Sequence, residues 1–459
     1  MPPLTILSVN TADSGGGAER VARELHRSYA AAGEDAWLAV GRKRLGDPRT
    51  VEIRNRQRRS VWARAWMRAA DALPQRSAGF RAARLLRGAV AEPVRWLERE
   101  RGREDFDFPG TRELPRLSPR PPDVVHLHNL HGGYFDLREL PRLAQAQPVL
   151  LTMHDAWLLS GHCAHSFECG RWETGCGTCP MLWIHPAVPR DATAFNWRRK
   201  RELFSRSALH VAVSSQWMAD MVRRSMLAPA VRELRTIPLG VDLDLFRPAD
   251  RMAARAALGL DPERAVILVH ENSLRPRTWK DSDAFRGALG LLAGAAAAAQ
   301  WIAIGAPGPD EQVGAVRLRR VPAQRDDRDL ARWYHAADLY VHPARAEAYG
   351  LMIVESLACG TPVIASDAGG IPELIDGGPA IDRATGAIVP VGDARALAAS
   401  ITTFLARGDA ERATLSANAA RAARARFDRR RHERDYLGWI RELAARSGRT
   451  ASPDHREDA

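Results

Sequence analysis

The sequence has few lysines, few cysteines and no long hydrophobic segment. Only three of its 67 basic residues are lysine, so arginine supplies almost all of the positive charge. The apolar run after Met1 has no basic segment before it and is only as long as a strand, so we expect no cleavable signal peptide. One uncharged stretch, residues 287–309, is rich in alanine and glycine and ends in a strand-like pattern, which predicts a helix and a strand rather than a membrane span. A cytoplasmic protein is the expectation that follows.

Buried-strand and amphipathic-helix patterns alternate along the chain, which predicts an α/β protein with parallel sheets. Its 459 residues have room for two or three domains, and a hydrophobic content of 45% is ordinary for a globular protein. Proline and glycine over residues 235–248 mark a domain boundary. The predicted strands span residues 4–9, 36–40, 123–128, 148–153 and 210–214 before this boundary and 265–269, 301–305, 339–342 and 362–365 after it. We therefore expect one domain over residues 1–234 and a second over residues 235–428.

The positive charge is concentrated in one segment, residues 54–103, which we call the basic insert. Fourteen arginines against four acidic residues give it a local charge of +10, out of +12 for the chain. Within it, Trp62, Trp66, Ala69 and Leu73 recur at helical spacing. Arginine-rich helices with tryptophan at the boundary fit an anionic membrane surface, so the insert predicts peripheral membrane binding. A locally packed helical insert is an equal alternative, and nucleic-acid binding is a weaker one.

Four of the five cysteines lie close together in residues 163–179, the Cys-rich segment. Two of them form a Cys-x-x-Cys pair, which is the spacing of a metal knuckle, and thiolates favour zinc. The first interval is wider than in a standard zinc module, and disulfides are disfavoured in a cytoplasmic protein. A structural, non-catalytic zinc ion, free or redox-sensitive thiols, and disulfides stay open as alternatives, in that order. The candidate zinc ligands are Cys163, Cys169, Cys176 and Cys179.

Two glutamates stand eight positions apart where a predicted strand passes into a predicted helix. Glu347 follows the strand at residues 339–342, and Gly350 opens a helix on which Glu355 shares an apolar face with Leu351. A carboxylate on an apolar face costs free energy unless a polar group meets it, so Glu355 predicts a ligand contact. Ligands of parallel sheets bind where strands end and helices begin, and the first amides of this helix would favour a phosphate group.

Three other features follow predicted strands and carry candidate ligand-binding residues. Gly16 and Gly17 lie between the first strand and the first helix, where glycine lets a phosphate approach the backbone. His154 directly follows another strand, although a lone histidine is more often structural. His128 and Asn129 follow the strand before that one, and acceptor binding and packing are equally good explanations for them.

The region around the two glutamates closely resembles the retaining glycosyltransferases of family 4, through the runs at residues 334–343 and 358–374. The signature of that family is a pair of glutamates separated by seven residues. The resemblance implies that Glu347 contacts hydroxyls of the donor sugar and that Glu355 holds the ribose of the nucleotide. It covers most of the chain except the basic insert and the tail. Ala348 stands where the family usually has glycine, which would change the donor geometry slightly.

The resemblance also implies roles for the other loops. His154 would lie against the donor hexose, and Arg277 and Lys280 would neutralise the pyrophosphate, with Arg275 as a rival. Asp281 replaces the glycine that the family usually has after the lysine. A subset of the family that acts on exopolysaccharides has a similar Trp- and Cys-rich stretch. The implied catalytic residues are His154, Glu347, Arg277 and Lys280, and the implied donor-binding residues are Gly16, Gly17, Tyr349, Gly350, Leu351 and Glu355.

The fold that the resemblance implies is GT-B, with two Rossmann-like domains whose parallel sheets face a central cleft. An amphipathic crossover helix over residues 429–446 would return to the first domain, and residues 447–459 would form a disordered tail. The Cys-rich segment would lie beside the acceptor pocket.

The predicted activity is transfer of a hexose from a nucleotide sugar to a saccharide or lipid-linked saccharide, with retention of the anomeric configuration, in cell-surface or exopolysaccharide synthesis. Catalysis would need no metal if arginine and lysine neutralise the leaving group. The alternative is a non-catalytic GT-B protein that binds a nucleotide or a polyanion. Nucleic acid is not an expected partner.

Overall fold

The structure is a computed structural model that describes residues 2–71, 88–270, 279–305, 308–324, 326–377 and 382–450. The chain divides into two units. Unit 1 comprises residues 1–213, 219–236 and 433–459, and unit 2 comprises residues 214–218 and 237–432. The boundary expected at residue 235 lies close to Ile237, where the main part of unit 2 begins.

Unit 1 is built on a seven-stranded sheet in which every neighbouring pair of strands is parallel. Its strands are β1 (Thr5–Ala12), β2 (Asp35–Arg42), β3 (Thr50–Glu52), β4 (Val124–Leu127), β5 (Val149–Met153), β6 (Leu209–Val213) and β7 (Val231–Thr236). They lie in the order β3-β2-β1-β4-β5-β6-β7. The central strands β1, β4 and β5 are buried along their whole length, and the sequences of β4 and β5 are accordingly mostly apolar.

Helices cover this first sheet and form part of the basic insert. The α-helices of unit 1 are Gly17–Ala31, Val61–Asp71, Pro93–Glu100, Leu140–Ala146, Arg171–Thr174, Thr193–Phe204 and Gln216–Arg224, and the first turn of the last one is assigned to unit 2. Short 3-10 helices span Arg56–Arg58, Pro109–Arg116, Leu137–Glu139, Trp157–Leu159 and Ala228–Ala230. Leu73, the last member of the predicted tryptophan stripe, lies outside the described residues.

Unit 2 is built on a second seven-stranded sheet, with the order β10-β11-β9-β8-β12-β13-β14. Its strands are β8 (Val266–His270), β9 (Gln300–Gly305), β10 (Glu311–Val313), β11 (Val316–Pro322), β12 (Leu339–His342), β13 (Val363–Ser366) and β14 (Gly386–Val389). Neighbouring strands are parallel except β10 and β11, which are antiparallel. The helices are Arg251–Leu258, Ser282–Leu291, Gly294–Ala298, Asp327–Ala336, Leu351–Ala358, Ala394–Ala406 and Asp409–Arg426, with a 3-10 helix at Ile371–Glu373. Both units are Rossmann-like, which confirms the predicted fold class.

The uncharged stretch at residues 287–309 is part of the core of unit 2. It supplies the end of the helix Ser282–Leu291, the helix Gly294–Ala298 and strand β9. Trp301 is fully buried in that core. Among the helices of the described ranges, we find none with both the length and the hydrophobicity needed to cross a membrane.

The final helix, Arg429–Thr450, leaves unit 2 and packs in unit 1 from Glu433 onwards. The predicted apolar face is buried, and the hydroxyl of Tyr436 accepts a hydrogen bond of 3.0 Å from the hydroxyl of Thr152 on β5. The prediction that a C-terminal helix returns to the first domain is therefore confirmed. The helix ends at Thr450, so residues 447–450 are helical rather than part of a tail, and residues 451–459 lie outside the described residues.

Candidate active site

The loop that carries Glu347 leaves the carboxyl end of β12 in unit 2. His342 is the last residue of this strand, and Gly350 stands immediately before the helix Leu351–Ala358. Because β8 and β12 are neighbouring parallel strands, the loops that follow them start at the same edge of the sheet. An isolated antiparallel bridge with Ala344 holds Lys280 beside the loop.

Lys280, His342 and Glu347 form one buried polar cluster at this edge. Nζ of Lys280 lies 2.6 Å from Oε2 of Glu347 and 2.7 Å from Nε2 of His342. An ammonium group only donates, so Nε2 of His342 accepts and the ring proton lies on Nδ1. That Nδ1 is 2.8 Å from the hydroxyl oxygen of Tyr340, to which it donates. The lysine side chain is 1% exposed and the glutamate side chain 17%, so the pair is shielded from bulk water.

The charges of this cluster follow from its burial and its ion pair. Burial alone would raise the pKa of Glu347, but the Lys280 ammonium holds the pKa of that carboxyl well below its ordinary value. Burial and the same positive charge lower the pKa of His342 to about 4. At neutral pH the cluster therefore combines an ionised Glu347 with a neutral His342. The carboxylate can accept hydrogen bonds from hydroxyl groups, and the ammonium can attract an anion.

Glu355 has a different polar partner, which the sequence did not reveal. It lies on the helix Leu351–Ala358, is 1% exposed, and accepts a hydrogen bond of 3.3 Å from the hydroxyl of Tyr334. Tyr334 is itself buried on the helix Asp327–Ala336. A tyrosine of unit 2 therefore meets this carboxylate on its apolar face, and the predicted ligand contact of Glu355 stays a prediction.

The start of the helix Leu351–Ala358 is shaped by a glycine. Gly350 has φ of +110° and ψ of 63°, a conformation that side-chain-bearing residues rarely adopt, and its carbonyl accepts the first helical bond from the amide of Ile353. The amides of Leu351 and Met352, which precede this bond, have no acceptor within the helix. Tyr349 is buried, and its hydroxyl donates to the carbonyl of Leu239 at 2.8 Å. Any ligand contact of Tyr349 would therefore come from its backbone.

Two further glycines hold the backbone of the Glu347 loop. The amide of Gly370 donates to the carbonyl of Glu347 at 3.0 Å. Gly369 has φ of +59°, and a Cβ added there would collide with the same carbonyl. This close approach fixes the position of the residue that carries the candidate sugar-binding carboxylate.

Arg277 and its rival Arg275 lie outside the described residues. Described residues on either side of that gap are His270, at the end of β8, and Lys280. Burial lowers the pKa of His270 to about 3, and its Nε2 has no hydrogen-bond partner within the described ranges. His270 and His342 end neighbouring strands, and this shared position at strand ends is a signal that could have identified both as site residues.

In unit 1, Gly16 and Gly17 lie where the chain enters the first helix after β1, and Gly17 is the first residue of that helix. Gly16 is the N-cap of the helix Gly17–Ala31, and its amide donates to Oε2 of Glu19 at 3.0 Å. This glycine loop is exposed, and the carboxylate of Glu19 occupies part of the donor capacity that a phosphate would use.

His128 and His154 are brought together at the carboxyl ends of β4 and β5. Nδ1 of His128 lies 3.1 Å from Nε2 of His154, and the two rings stack. Burial lowers the pKa of His154 to about 4, so this histidine is neutral at physiological pH. The carbonyl of Asn129 accepts hydrogen bonds from the hydroxyls of Thr11 and Tyr134, which gives its backbone a structural role.

A second polar pair joins a histidine to the aspartate that directly follows His154. Nε2 of His131 is 2.7 Å from Oδ2 of Asp155, and the amide of Trp157 donates to the other oxygen of the same carboxylate at 2.9 Å. Burial alone would raise the pKa of Asp155, but the charge and hydrogen bond of His131 lower it to about 2. Asp155 also raises the pKa of His131, although burial opposes this. Neither residue was among the site residues predicted from the sequence, although Asp155 directly follows His154.

The four cysteines of the Cys-rich segment line one small cavity in unit 1, of about 20 Å³. All of them are free and partly exposed. Burial raises the pKa of Cys163 to about 12 and that of Cys176 to about 11, so these two thiols are neutral at physiological pH. Across the parts of the chain that the structure describes, no three His, Cys, Asp or Glu side chains are grouped so that they could hold a metal ion as they stand.

Two family profiles match this chain. One, described as Glycosyltransferase Family 4, matches residues 15–245, which is just over half of the chain. The other, described as Glycosyl transferases group 1, matches residues 272–407. The first covers most of unit 1, and the second contains Lys280, Glu347 and Glu355.

Curated relatives match part of the chain. A D-inositol 3-phosphate glycosyltransferase of Mycobacterium sp. (strain KMS) is 38% identical over 186 residues, which are 37% of this chain and 39% of the relative. The protein of the same name from Saccharomonospora viridis is 32% identical over 249 residues, which are 51% of this chain and 56% of the relative. The chain therefore matches less than two thirds of the length of these relatives.

Solved structures resemble the whole chain in fold. Sucrose-phosphate synthase from Thermosynechococcus elongatus is 22% identical, with a TM-score of 0.60, over 96% of this chain and 100% of that one. Anabaena HepE, solved in complex with UDP and glucose, is 16% identical, with a TM-score of 0.59, over 96% and 100%. WaaG, a glycosyltransferase involved in lipopolysaccharide biosynthesis, is 14% identical, with a TM-score of 0.60, over 95% and 99%. These similarities show the GT-B fold.

Proposed function

We propose, from the premise that this chain belongs to glycosyltransferase family 4, that it transfers a hexose from a nucleotide sugar with retention of the anomeric configuration. The observation that carries the proposal is the buried cluster of Lys280 and Glu347 at the edge of the second sheet, beside the helix that holds Glu355. A buried ion pair is a poor source of stability, because desolvating two charges offsets most of their attraction. Its presence at a ligand-binding edge of an α/β sheet is better explained by ligand binding.

The donor would be held by charges of both signs. The diphosphate would lie near the first turn of the helix Leu351–Ala358, where unpaired amides and the helix dipole favour an anion. Lys280, together with Arg277, would neutralise the charge that develops on the leaving diphosphate. The ionised Glu347 would accept hydrogen bonds from hydroxyls of the hexose, and Glu355 would hold the ribose.

Retention would follow from attack on the same face of the sugar as the departing phosphate. Glu347 is paired with Lys280, and its lowered pKa makes it a weak base, so we do not assign it the role of a glycosidase nucleophile. The leaving phosphate would take the proton of the acceptor hydroxyl. His154 is neutral at physiological pH and could exchange hydrogen bonds with a hexose hydroxyl without adding charge.

The choice of substrates for testing comes from the similar proteins. HepE was solved with UDP and with UDP-glucose, so UDP-hexoses are the first donors to test. The curated relatives are named for D-inositol 3-phosphate, which makes this sugar phosphate the first soluble acceptor to test. A saccharide or lipid-linked saccharide of cell-surface or exopolysaccharide synthesis remains our proposed natural acceptor.

The proposed membrane contact rests on apolar side chains of the basic insert that face solvent. Trp62 and Trp66 on one helix, and Val94 and Leu97 on another, are all exposed, and Val94 is 74% exposed. The indole of Trp62 donates to the carbonyl of Val90 at 3.0 Å. Exposed tryptophans among arginines fit the interface of an anionic bilayer, where the guanidinium groups pair with lipid phosphates.

Vesicle sedimentation tests this membrane contact. The protein should bind vesicles that contain phosphatidylglycerol, and salt should weaken the binding. Trp66→Ala with Val94→Ala should reduce the bound fraction several-fold, whereas Trp183→Ala, which removes an exposed tryptophan outside the insert, should not. Equal binding by the double variant and the wild type would contradict the membrane role of the insert.

Proton NMR of the first product formed tests the transferase proposal. Incubation with a UDP-α-hexose and an accepted acceptor should release UDP and give an α-linked product. Glu347→Gln should lower the rate by about 100-fold or more, and Glu411→Gln, at an exposed position of the same unit, should leave it unchanged. A β-linked product would contradict retention, and nucleotide binding without turnover on any sugar tested would favour the non-catalytic alternative.

A further inference from the structure

We infer that the Cys-rich segment of unit 1 is a zinc site, whose ion holds the loop that follows β5. The proposed ligands are the thiolates of Cys163, Cys169, Cys176 and Cys179. The transferase reaction proposed above uses none of these residues, so this inference stands or fails independently of that reaction.

The first observation is that the fold gathers all four thiols around a single cavity, although sixteen positions separate the first from the last. The cavity, of about 20 Å³, has room for a particle the size of one water molecule or one metal ion. Four sulfur ligands around a space of this size match the ligand number and type of structural zinc.

The second observation is a hydrogen bond from the backbone to one of the sulfurs. The amide of Gly161 donates to Sγ of Cys176 at 3.3 Å. A bond from a backbone amide to sulfur is the kind of contact that orients a metal-bound thiolate in a buried place.

The third observation is the backbone between the two knuckle cysteines. Cys176, Gly177 and Thr178 have φ values of +55°, +92° and +45°, so three consecutive residues adopt a conformation that only glycine adopts readily. For a β-branched residue such as Thr178 this is a genuine outlier. Such strain persists only where the surroundings enforce it, and two thiolates bound to one ion would do so.

A histidine at the wall of the cavity has the orientation of a group that faces a metal site. Nδ1 of His162 lies 3.0 Å from the carbonyl of Pro186, to which it donates, so the lone pair is on Nε2. That Nε2 is 3.5 Å from Sγ of Cys179. The thiols line the walls without converging on one point, so binding requires cysteine side chains to rotate about their Cα–Cβ bonds and each thiol to lose its proton.

The zinc ion would hold the loop that follows His154, the histidine predicted to be a site residue. The amide of Ala156 donates to the carbonyl of Ala164 at 2.8 Å, and the amide of Ala164 donates to the carbonyl of His185 at the same distance. These bonds join the loop that follows His154 to the start of the Cys-rich segment. Lys200 adds bonds from Nζ to the carbonyls of Trp157 and Ser160, at 2.9 and 3.0 Å. A cross-link through zinc would make this loop rigid.

The direct test is the zinc content of purified protein, prepared with zinc and without chelators. We expect about one zinc per chain by mass spectrometry of the metal, as the ligand number of a single tetrahedral site requires. Cys176→Ser combined with Cys179→Ser should lose it. Cys359→Ser, which removes the one buried cysteine outside the segment, should keep it.

Cobalt substitution supplies a readout that does not depend on the stability of the variants. Wild-type protein loaded with Co²⁺ should show the thiolate-to-cobalt absorption of a tetrahedral sulfur site. Zinc-free wild-type protein with reduced thiols and no such absorption would overturn the inference. Equal zinc in the double variant, or two disulfides in protein purified without oxidants, would overturn it as well.

Discussion

At the scale of single residues, the pairing of Lys280 with Glu347 explains how a carboxylate stays ionised in a largely buried place. The ammonium is 2.6 Å away and donates to Oε2 of the carboxylate. A second buried pair, between Lys200 and Glu104 in unit 1, is not part of the proposed nucleotide site, and there burial outweighs the ammonium and raises the pKa of the carboxyl. Substitutions in the two pairs can therefore distinguish the effect of a buried charge on the free energy of unfolding from its effect on ligand binding.

We expect Lys280→Met to abolish binding of nucleoside diphosphates, because it removes the cation that would meet the diphosphate. It should also lower the free energy of unfolding by about 3–5 kcal/mol, since Glu347 is left buried without its partner. Lys200→Met should have a similar cost in stability but should leave nucleotide binding intact. Denaturation curves and calorimetric titration measure both effects. Wild-type nucleotide affinity in folded Lys280→Met protein would contradict the assignment.

The pair of His131 and Asp155 predicts a stability effect with two pH limits. Asp155→Asn should destabilise the protein by about 2 kcal/mol, which corresponds to lowering the pKa from 3.8 to about 2. The difference in the free energy of unfolding should shrink as pH falls from about 4 to about 2. Asp155 has a lowered pKa in the folded state, so it stabilises the fold only while it is ionised. The same difference should also shrink as pH rises above about 6.5, the ordinary pKa of histidine, because His131 then loses its proton and its positive charge.

Urea denaturation of Asp155→Asn and wild type at several pH values measures this profile. Asp329→Asn is a suitable control, since the Asp329 side chain is 50% exposed and pairs with Arg332 on the same helix. A difference that stays constant between pH 2 and pH 8 would show that the two groups do not interact as the structure indicates.

The sequence predicts single site residues where a motif contains them. It does not predict contacts between residues that lie far apart in the chain. Glu347 and Lys280 were predicted to be site residues, but their contact spans 67 positions and follows only from the sheet order. His342 ends a buried strand and therefore reads as a core residue in the sequence. Tyr334 reads as part of an apolar helix face for the same reason.

At the scale of secondary-structure elements, the start of the helix Leu351–Ala358 depends on one backbone conformation. Gly350 has a positive φ, so alanine there would force a strained backbone and would also press against the side chain of Ile353. The amides that we propose to bind the diphosphate, in the first turn, follow directly. We therefore expect stability and nucleotide binding to be coupled at this residue.

Gly350→Ala should lower the free energy of unfolding by about 1–3 kcal/mol and weaken nucleotide binding. Gly290→Ala is the matched control, because Gly290 lies in the helix Ser282–Leu291 and an added Cβ meets no atom of the described residues within 4 Å. That control should raise stability by about 0.5–1 kcal/mol. Thermal denaturation without UDP measures the change in stability, and the shift that UDP adds measures nucleotide binding. No loss of stability in Gly350→Ala would contradict the strained cap.

The central strands were predictable and the outer ones were not, for a physical reason. Central strands are buried on both faces, so their sequences are apolar runs that stand out. Strands β7 and β11 alternate apolar with charged residues, because one face of each remains partly exposed. Strands β3 and β10 have only three residues each, which is too short for any periodicity to be visible.

At the scale of the whole molecule, the end of the chain belongs to the unit with which the chain begins. Trp439 on the final helix is fully buried, and this helix belongs to unit 1 from Glu433 onwards. The residues before it in the chain, from 237 to 432, are assigned to unit 2. The folding of unit 1 therefore requires a segment that follows unit 2 in sequence. The amphipathic pattern of this helix was visible in the sequence, but its burial partner Thr152 was not.

Trp439→Ala should destabilise unit 1 by about 3–5 kcal/mol, the cost of removing a large buried aromatic side chain. Its exposed counterpart, Trp183→Ala, should change stability by less than about 0.5 kcal/mol. Hydrogen exchange followed by mass spectrometry can assign the loss of protection to one unit. Protection lost in unit 2 and kept in unit 1 would contradict the assignment of this helix.

The central claim is that unit 2 binds a nucleotide sugar through Glu347, Glu355 and Lys280. Its most direct test is thermal denaturation of wild type and Glu355→Gln against UDP, GDP, ADP and CDP, since a ligand that binds only folded protein raises its apparent stability. We expect a clear shift with one nucleotide for the wild type and for the control Glu411→Gln, and none for Glu355→Gln. No shift with any nucleotide, or an unchanged shift in Glu355→Gln, would contradict it.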